Sequence, residues 1–373
     1  MILPNLDMMI INLDFEAYET VFADLIQELH IKKMQAKKQM QDSNNHLSLI
    51  DINGIRFQVY PNGTRGYSYI LHGELLKLEI ARYQNKNNYP VRVMFHSAYL
   101  WSAGPQKAWE EFSLWISSIA PISRSQVSRV DLCTHTDEIS FANKLQHFKG
   151  HYTKDTLHRE HRRVEGISFG SRESKIFLRI YDKENELKKS RKDWFREVWE
   201  KNGAQGTVWN IEFELKRDFF NEVQFNDRKV ETVEDLFQAL PSIWHYLTEE
   251  HIILTNKDRS RVKRSTINEA WLRIQSAYDH FGNRGYIERR KIINHEADAL
   301  IPQMAGCVTS YIAKQRTGVI DIEDILTELA VAIPKHYHYN HKKSVEEVMQ
   351  EKYMILQEVL GDAYFTSTTD IPG

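Results

Sequence analysis

The sequence has 373 residues, of which 42% are hydrophobic and 27% are charged, and its formal net charge is −2. These values are typical of a soluble chain with two or three domains and argue against a wholly basic protein that coats nucleic acid. Two distant cysteines, Cys133 and Cys307, fit neither a disulfide framework nor a metal spacing, which predicts a reducing cytoplasm. The sequence has no signal-peptide pattern and no apolar run of the ~18 residues that span a bilayer, so we expect no membrane partner.

The chain begins with a predicted helical segment and continues with strands. Apolar residues at three- and four-residue steps predict a helix over residues 15–40, within a segment covering residues 1–45. Residues 47–101 instead alternate, and Asn53-Gly54 is a strong hairpin signal, so an antiparallel meander is expected up to Trp101. A helix is predicted next, over residues 106–120, after a proline that suits its first turn.

A second β-rich unit with the same alternation follows. Its predicted strands are Val127–His135, Gly166–Phe169, Lys175–Asp182 and Thr207–Lys216. Two helices, Ser140–Phe148 and Glu184–Glu200, are predicted between these strands. The pattern indicates an α+β fold with largely antiparallel sheets in two similar units, which together form one domain over residues 46–250.

Strand signals fade after residue 250, and we predict a helical C-terminal region, residues 251–373. Thr266 and Glu269 have the spacing of a capping box, which predicts a helix over residues 267–281. Three further helices are predicted at His295–Lys314, Ile322–Ile333 and Val345–Leu360. DNA recognition and oligomerisation are alternative roles for this region.

Basic side chains are concentrated in Lys257–Arg264, which has five cations in eight residues. Such a cluster is typical of contacts with nucleic-acid phosphates, which give affinity and salt dependence but no choice of sequence. Solvated surface charge is the alternative interpretation.

An unusual polar face is expected on the strand Lys175–Asp182. Side chains alternate along a strand, so Arg179, Tyr181 and Lys183 share one face and the tyrosine lies between two cations. This arrangement suits a phenolate that attacks a phosphate. A half-buried sheet tyrosine, bonded through its hydroxyl, is the alternative.

Carboxylates occupy one face of each of two other strands. Asp131 shares a side with Arg129 and His135, and Glu212 shares a side with Glu214. Buried charges cost free energy unless they pair or bind a cation. The three carboxylates predict an oxygen-rich site suited to Mg²⁺ or Mn²⁺. The alternative is a salt bridge from Asp131 to Arg129, with the two glutamates paired to Arg179 or Lys183.

Three segments in this order and spacing resemble the replication initiation factor family. They are Arg129-Val130-Asp131-Leu132, then Phe169–Ser174 with Arg179–Glu186, and finally Trp209–Arg217. The family includes rolling-circle initiators of small plasmids, phage initiators and relaxases of conjugative elements. The resemblance extends from about residue 47 to about residue 250 and leaves the C-terminal helices unmatched.

The resemblance implies that Tyr181 is a nucleophile. It would attack one phosphodiester of origin DNA, leave a free 3′-OH as primer, hold the 5′ end as a phosphotyrosine, and later religate. A phosphotyrosine keeps the bond energy, so the 3′-OH can reverse the step without ATP. Arg172, Arg179 and Lys183 would offset charge on the phosphoryl group and lower the pKa of the tyrosine.

The resemblance also implies a divalent metal, Mg²⁺ or Mn²⁺, that acts as a Lewis acid on the phosphate. Asp131, Glu212 and Glu214 are the expected ligands. His135 stands where the family often has a second acidic residue, so it is a further candidate ligand through nitrogen, or a hydrogen-bonding residue.

The implied partners are double-stranded origin DNA nicked on one strand, a second copy of the chain, and a host helicase. The interpretation that we favour is an initiator of rolling-circle replication. The alternatives are a conjugative relaxase acting at a transfer origin, a non-catalytic DNA-binding copy-control protein, and a metal-dependent nuclease without a covalent intermediate.

Overall fold

A computed structural model describes residues 1–41, 48–84, 88–289, 301–315 and 322–360. The chain divides into two compact units, residues 1–292 and 293–373. The first unit has an α+β fold, as predicted, and it extends past the boundary expected at residue 250. The reason is that Trp271, on a helix beyond that boundary, is fully buried in the main hydrophobic core.

The described residues form sixteen strands. In chain order they are β1 Ile2–Phe15, β2 Leu49–Ile52, β3 Ile55–Val59, β4 Tyr69–His72, β5 Leu76–Ile80, β6 Val91–Phe95, β7 Ile122–Thr136, β8 Phe148–Gly150, β9 Asp155–Glu160, β10 Arg163–Phe169, β11 Ile176–Asp182, β12 Trp209–Lys216, β13 Val223–Phe225, β14 Arg228–Lys229, β15 Ile252–Leu254 and β16 Ile287–Arg289.

Eleven of these strands form one sheet, in the order β2-β3-β4-β5-β6-β1-β7-β12-β11-β10-β9. Every pairing in it is antiparallel. The two predicted β-rich units are therefore two halves of a single sheet, joined through β1. Two small sheets, β14-β13-β16 and β15-β8, lie outside it.

Strand β1 corrects the expectation of a purely helical N-terminal segment. It pairs with β6 on one side and with β7 on the other, so it lies between the two halves of the sheet. A β-bulge between Leu6 and Met8 breaks its alternation, since Leu6 and Met9 are both buried although three positions apart. The interrupted period hid the strand from the sequence pattern.

The described helices differ from the predicted ones mainly in length and number. They are α1 Tyr18–Val21, α2 Ala23–Gln41, α3 Ser97–Ala103, α4 Pro105–Ser117, α5 Lys183–Ser190, α6 Trp194–Lys201, α7 Arg217–Glu222, α8 Val233–His245, α9 Glu269–Gln275, α10 Ile301–Gln315, α11 Ile322–His341 and α12 Val345–Leu360. The last three belong to the second unit, and residues 295–300 of the predicted helix lie outside the described residues. No helix in the described ranges is long and apolar enough to cross a bilayer.

Four local predictions were wrong. The strand expected up to Trp101 ends at Phe95, where α3 soon begins. The helix expected over residues 140–148 is a short 3₁₀ turn followed by β8. The helix expected over residues 184–200 is divided at Arg191, whose positive φ ends α5.

The fourth is the capping box at Thr266. The hydroxyl of Thr266 donates to Asp258 instead, and Asn268 caps the much shorter α9 through a hydrogen bond from the backbone amide of Ala270. Asn268 therefore caps this helix in place of Thr266, and α9 begins two residues later than predicted.

The two faces of the large sheet carry different chemistry. Directly paired residues point to the same side of a sheet, so each row of partners has one environment. One row on the apolar face is Leu6, Leu132, Phe213, Leu178 and Phe169. Helix α8 packs on this face, with its Trp244 edge-on against Phe213. The corresponding row on the opposite face is Asn5, Cys133, Glu212, Arg179 and Ser168.

Candidate active site

Strands β7, β12 and β11 are neighbours, so the predicted shared polar face is confirmed. Tyr181 pairs with Asn210, which pairs with His135. One row along, Arg179 pairs with Glu212. In the next row Glu214 pairs with Asp131. Each of the three strands therefore directs alternate side chains to this face, as the sequence pattern predicts.

The hydroxyl of Tyr181 is at the centre of a small hydrogen-bond network. Oη donates to Oε2 of Glu212 at 2.7 Å. It accepts from Nδ2 of Asn210 at 2.9 Å and from Nζ of Lys183 at 3.2 Å. Asn210 also donates to Oε2 of Glu212 at 3.1 Å, which fixes that carboxylate relative to the tyrosine. The arrangement provides the phenol with a proton acceptor and two donors.

The pKa of Tyr181 is raised well above its usual value. Burial is the main cause, and the negative charges of Glu212 and Asp7 add to it. This corrects the expectation that nearby cations lower the pKa. The resting side chain is a neutral phenol, so a base must remove its proton during any attack.

Lys183 is almost completely buried yet remains charged. Burial by itself lowers its pKa, but the negative charges of Asp7, Glu186 and Glu212 outweigh that effect and the net pKa is raised. Its ammonium lies 3.0 Å from Oε2 of Glu186 and 5.0 Å from the ring centre of Phe195. The lysine is thus a fixed cation beside the tyrosine.

The three predicted metal ligands are each paired with an arginine. Arg129 donates twice to Asp131, at 2.7 Å each, and contacts Glu214 at 2.9 Å. Arg179 forms a salt bridge with Glu212. The pairs Arg129–Asp131 and Arg179–Glu212 are those expected as the alternative to metal binding, whereas Glu214 pairs with Arg129 rather than with Arg179 or Lys183. These pairs satisfy carboxylates that are almost fully buried.

The pKa of Asp131 is raised although Arg129 is paired with this carboxylate. Burial is the main cause that raises the pKa of this carboxyl to about 7, and the charges of Glu212 and Glu214 add to it against the hydrogen bonds from Arg129. A carboxyl in such a setting gains from any added cation.

As they stand, the carboxylates do not converge on a point that could hold a divalent metal. Within the described ranges, no three His, Cys, Asp or Glu residues gather as a metal-binding group. The donor oxygens of Asp131, Glu212 and Glu214 are directed at guanidinium groups rather than at one point. The arrangement does not fit a metal without displacement of an arginine.

His135 lies in an aromatic box rather than beside the carboxylates. It is fully buried, stacked on Trp101 with ring centres 4.6 Å apart, and edge-on to Phe195. Its Nδ1 accepts a 3.1 Å hydrogen bond from the indole of Trp199, so the proton of the neutral ring resides on Nε2. A protonated Nε2 offers no lone pair to a metal. Burial lowers the pKa of His135, which keeps the ring neutral.

The sequence pattern missed Asp7. It is the extra residue of the β1 bulge, opposite neither Leu132 nor Asp131, and it lines the same cavity as Tyr181. Its Oδ1 is shielded from solvent and has no hydrogen-bond partner among the residues that the structure describes. Bulges frequently re-aim side chains next to active sites. No local signal could have identified this residue, because its strand was itself not predicted.

Asn210 was also missed, although the alternation that identified Glu212 places it on the same face. Gly166 is a second overlooked neighbour. It lies opposite Tyr181, and a Cβ there would lie 3.0 Å from the Cβ of Tyr181 and 2.9 Å from the carbonyl oxygen of Ile180. Glycine lets β10 approach the tyrosine this closely.

An open cavity of about 580 Å³ gives access to the tyrosine. Arg172 lines it, is exposed, and has no ion-pair partner in the described part of the chain. Arg129, Arg179, Lys183 and Lys189 line it as well. The cavity is large enough to admit an extended phosphodiester segment, with a free cation at its wall.

The chain has a distant structural likeness to a protein of known structure. No family model and no curated protein matches the sequence. A solved structure, a rolling circle replication initiator protein from Geobacillus stearothermophilus, is 14% identical, and the alignment covers 74% of this chain and 96% of that chain with a TM-score of 0.41. A likeness this weak carries no argument about function, so the interpretation depends on the residues of the site.

Proposed function

We propose that this protein is a site-specific DNA strand transferase that nicks one strand through Tyr181 and so starts rolling-circle replication. The observation that carries the proposal is the hydrogen-bond network at the Tyr181 hydroxyl. Glu212 accepts a hydrogen bond from this hydroxyl at 2.7 Å, and Lys183 and Asn210 donate hydrogen bonds to it. Four further cations line the same cavity. A structural tyrosine would need one such partner, and it would not need an open cavity.

In the proposed reaction Oη of Tyr181 attacks a phosphorus atom of the DNA backbone. The Oη–P bond forms, the P–O3′ bond breaks, and the phenol proton passes to Glu212 as general base. The 3′ oxygen leaves as an alkoxide, takes a proton from water, and becomes the primer hydroxyl. In religation the 3′-OH gives its proton back to hydroxide and attacks the phosphorus atom, the P–O3′ bond forms, the P–Oη bond breaks, and Glu212 returns its proton to Oη.

The cations have separate roles in this scheme. Lys183 is buried and already directed at Oη, so it stabilises negative charge on the phenolic oxygen as the proton leaves. Arg179 orients Glu212 through their salt bridge. Arg172 is free to bind the non-bridging oxygens of the scissile phosphate.

Dependence on Mg²⁺ or Mn²⁺ stays a prediction. The residues present do not fit such an ion unless an arginine moves away from the carboxylates, and no step of the proposed reaction depends on it. A second copy of the chain and a host helicase also remain proposals that follow from the family resemblance.

The test is nicking of supercoiled origin DNA by the wild type and by Tyr181→Phe, with and without Mg²⁺. We expect the wild type to form a denaturation-resistant protein–DNA adduct and the variant to lose both adduct and nicking. Wild-type nicking by the variant would overturn the nucleophile and favour a hydrolytic nuclease. Nicking that persists in a chelator would remove the metal from the proposal.

A further inference from the structure

The predicted basic cluster forms an ordered loop on the far side of the sheet from Tyr181. We call residues 256–268, between β15 and α9, the cationic loop. Its neighbour β8 carries Phe148, whose ring contacts Phe169 at 4.9 Å and Trp271 at 5.6 Å between centres. Phe169 belongs to the apolar row of the sheet, opposite to the row of Arg179. The loop is therefore not part of the Tyr181 cavity.

Hydrogen bonds within the loop hold its shape. The backbone amide of Asn256 donates to the carbonyl of Thr266 at 2.9 Å, which closes the two ends. Asp258 accepts from both the amide and the hydroxyl of Thr266, at 3.0 and 2.9 Å. Inside the loop, the hydroxyl of buried Ser265 accepts from the amide of Arg259 at 3.3 Å. A ligand would thus meet a preformed surface, at little cost in ordering.

Lys257 donates to Oε1 of Gln146 at 2.8 Å, whereas the other four cations of the loop have no partners among the described residues. Arg259, Arg261, Lys263 and Arg264 are all exposed, and none makes a side-chain hydrogen bond or ion pair within the described ranges. Asp258 is the one carboxylate of the loop, and its hydrogen bonds from Thr266 already occupy both of its oxygens. Elsewhere in the first unit, by contrast, several arginines form salt bridges with carboxylates. Such a concentration of unpaired charge costs free energy unless an anion offsets it.

We propose that the cationic loop is a phosphate-backbone clamp for duplex DNA, separate from the site that cuts it. Charge complementarity favours this partner, because cationic side chains held at several points of one ordered loop match a polyanion with regularly spaced phosphates. The turn Val262–Arg264 packs against β8, the strand that carries Lys149. The proposal rests on the proposed function for its choice of DNA, but its test needs no nicking.

The test compares Arg261→Gln/Lys263→Gln/Arg264→Gln with Lys37→Gln/Lys38→Gln/Lys201→Gln, which removes three exposed cations from α2 and α6. Binding of each full-length protein to a random-sequence duplex is measured by anisotropy across a salt series. The loop variant should bind roughly tenfold or more weakly at low salt. Its slope of log affinity against log salt should decrease by about two to three, since each phosphate contact contributes about 0.9. The control should keep the wild-type slope.

Three outcomes decide the proposal. Equal slopes for the loop variant and the wild type, with both folded by circular dichroism, would overturn it. Loss of binding in the charge-preserving variant Arg261→Lys/Arg264→Lys would also overturn it, because packing and not charge would then be responsible. Weaker binding to phosphatidylglycerol vesicles, with unchanged duplex binding, would assign the loop to a membrane surface instead. Tyr181→Phe should leave the slope unchanged, so failure of the nicking mechanism is distinguishable from failure of the clamp.

Discussion

The hydroxyl of Tyr181 donates a 2.7 Å hydrogen bond to Glu212, a carboxylate on the adjacent strand that also forms a salt bridge with Arg179. The sequence motifs imply a metal ligand at Glu212, whereas this contact makes it the nearest base to the tyrosine. Both descriptions place Glu212 at the reaction centre, and they differ in which partner its oxygens face. The predictions below separate the contributions of its neighbours.

The amide of Asn210 should matter because it holds both partners of the proton transfer. Replacement by leucine removes the donors to Tyr181 and Glu212, so we expect nicking to slow by about 10–100-fold with DNA binding unchanged. Single-turnover nicking and anisotropy measure the two effects. Asn202→Ala is the matched control, because Asn202 is exposed and bonds only a helix carbonyl. Equal rates for the leucine variant and the wild type would show that Asn210 has no role in positioning.

Asp7 and Lys183 should be energetically coupled, since the charge of Asp7 is the largest opposing influence on the buried ammonium. Lys183→Met leaves Asp7 and Glu186 without their cation, and we expect it to destabilise the fold by about 2–4 kcal/mol. Adding Asp7→Asn should recover about 0.5–2 kcal/mol of that loss.

A double-mutant cycle measures this coupling. Urea unfolding of the wild type, Lys183→Met, Asp7→Asn and the double variant gives the coupling energy between the two residues. Glu110→Gln takes the place of Asp7→Asn in a parallel control cycle, because Glu110 is exposed and distant along the chain. Strict additivity in the Asp7 cycle would contradict an electrostatic interaction between Asp7 and Lys183.

His135 should behave as a core residue. His135→Phe keeps the aromatic box but leaves the indole N–H of Trp199 without an acceptor, so we expect a loss of about 1–2 kcal/mol in the free energy of unfolding. Nicking at saturating Mg²⁺ should change less than about threefold, a small effect on the scale of lost catalytic groups. A rise of tenfold or more in the Mg²⁺ concentration needed for half-maximal nicking would instead support the ligand role that the family resemblance implies.

His251 should contribute to acid unfolding. Burial, helped by the charges of Arg289 and His151, lowers its pKa from 6.5 to about 4. Between these values the unfolded chain binds more protons than the folded chain, so stability falls as pH falls through this window. Wild type should therefore lose roughly 2–3 kcal/mol more than His251→Gln between pH 7 and pH 4. Urea unfolding across this pH range measures the free energy of unfolding of each protein, with His30→Gln, at an exposed histidine, as the control. Parallel curves of this free energy against pH for the wild type and His251→Gln would refute the prediction.

Local alternation was sufficient to locate the strands of the site. The period of two in β11 and β12 exposed the faces of Tyr181 and Glu212, because side-chain direction along a strand depends only on neighbouring residues. The Asn53-Gly54 dipeptide located a hairpin in the same local way, because the turn needs residues that accept positive φ. These features, and the α+β class, are properties of short segments.

Alternation did not reveal β1 or its bulged Asp7. A bulge shifts the period by one residue, and which side chain it re-aims depends on the partner strand. The environment of His135 was equally hidden, since its aromatic box is built from Trp101, Phe195 and Trp199 on other elements.

The sequence by itself determined which residue types share the polar face, because the period of a strand is local. Only the tertiary structure decided their roles. The pairing of β7, β12 and β11 directs Arg129 and Arg179 at the predicted metal ligands and places the buried Tyr181 hydroxyl against Glu212. Burial and the charges of Glu212 and Asp7 raise the pKa of Tyr181, and Glu212 and Glu214 pair with arginines of the neighbouring strands, so these effects come from residues distant in the sequence.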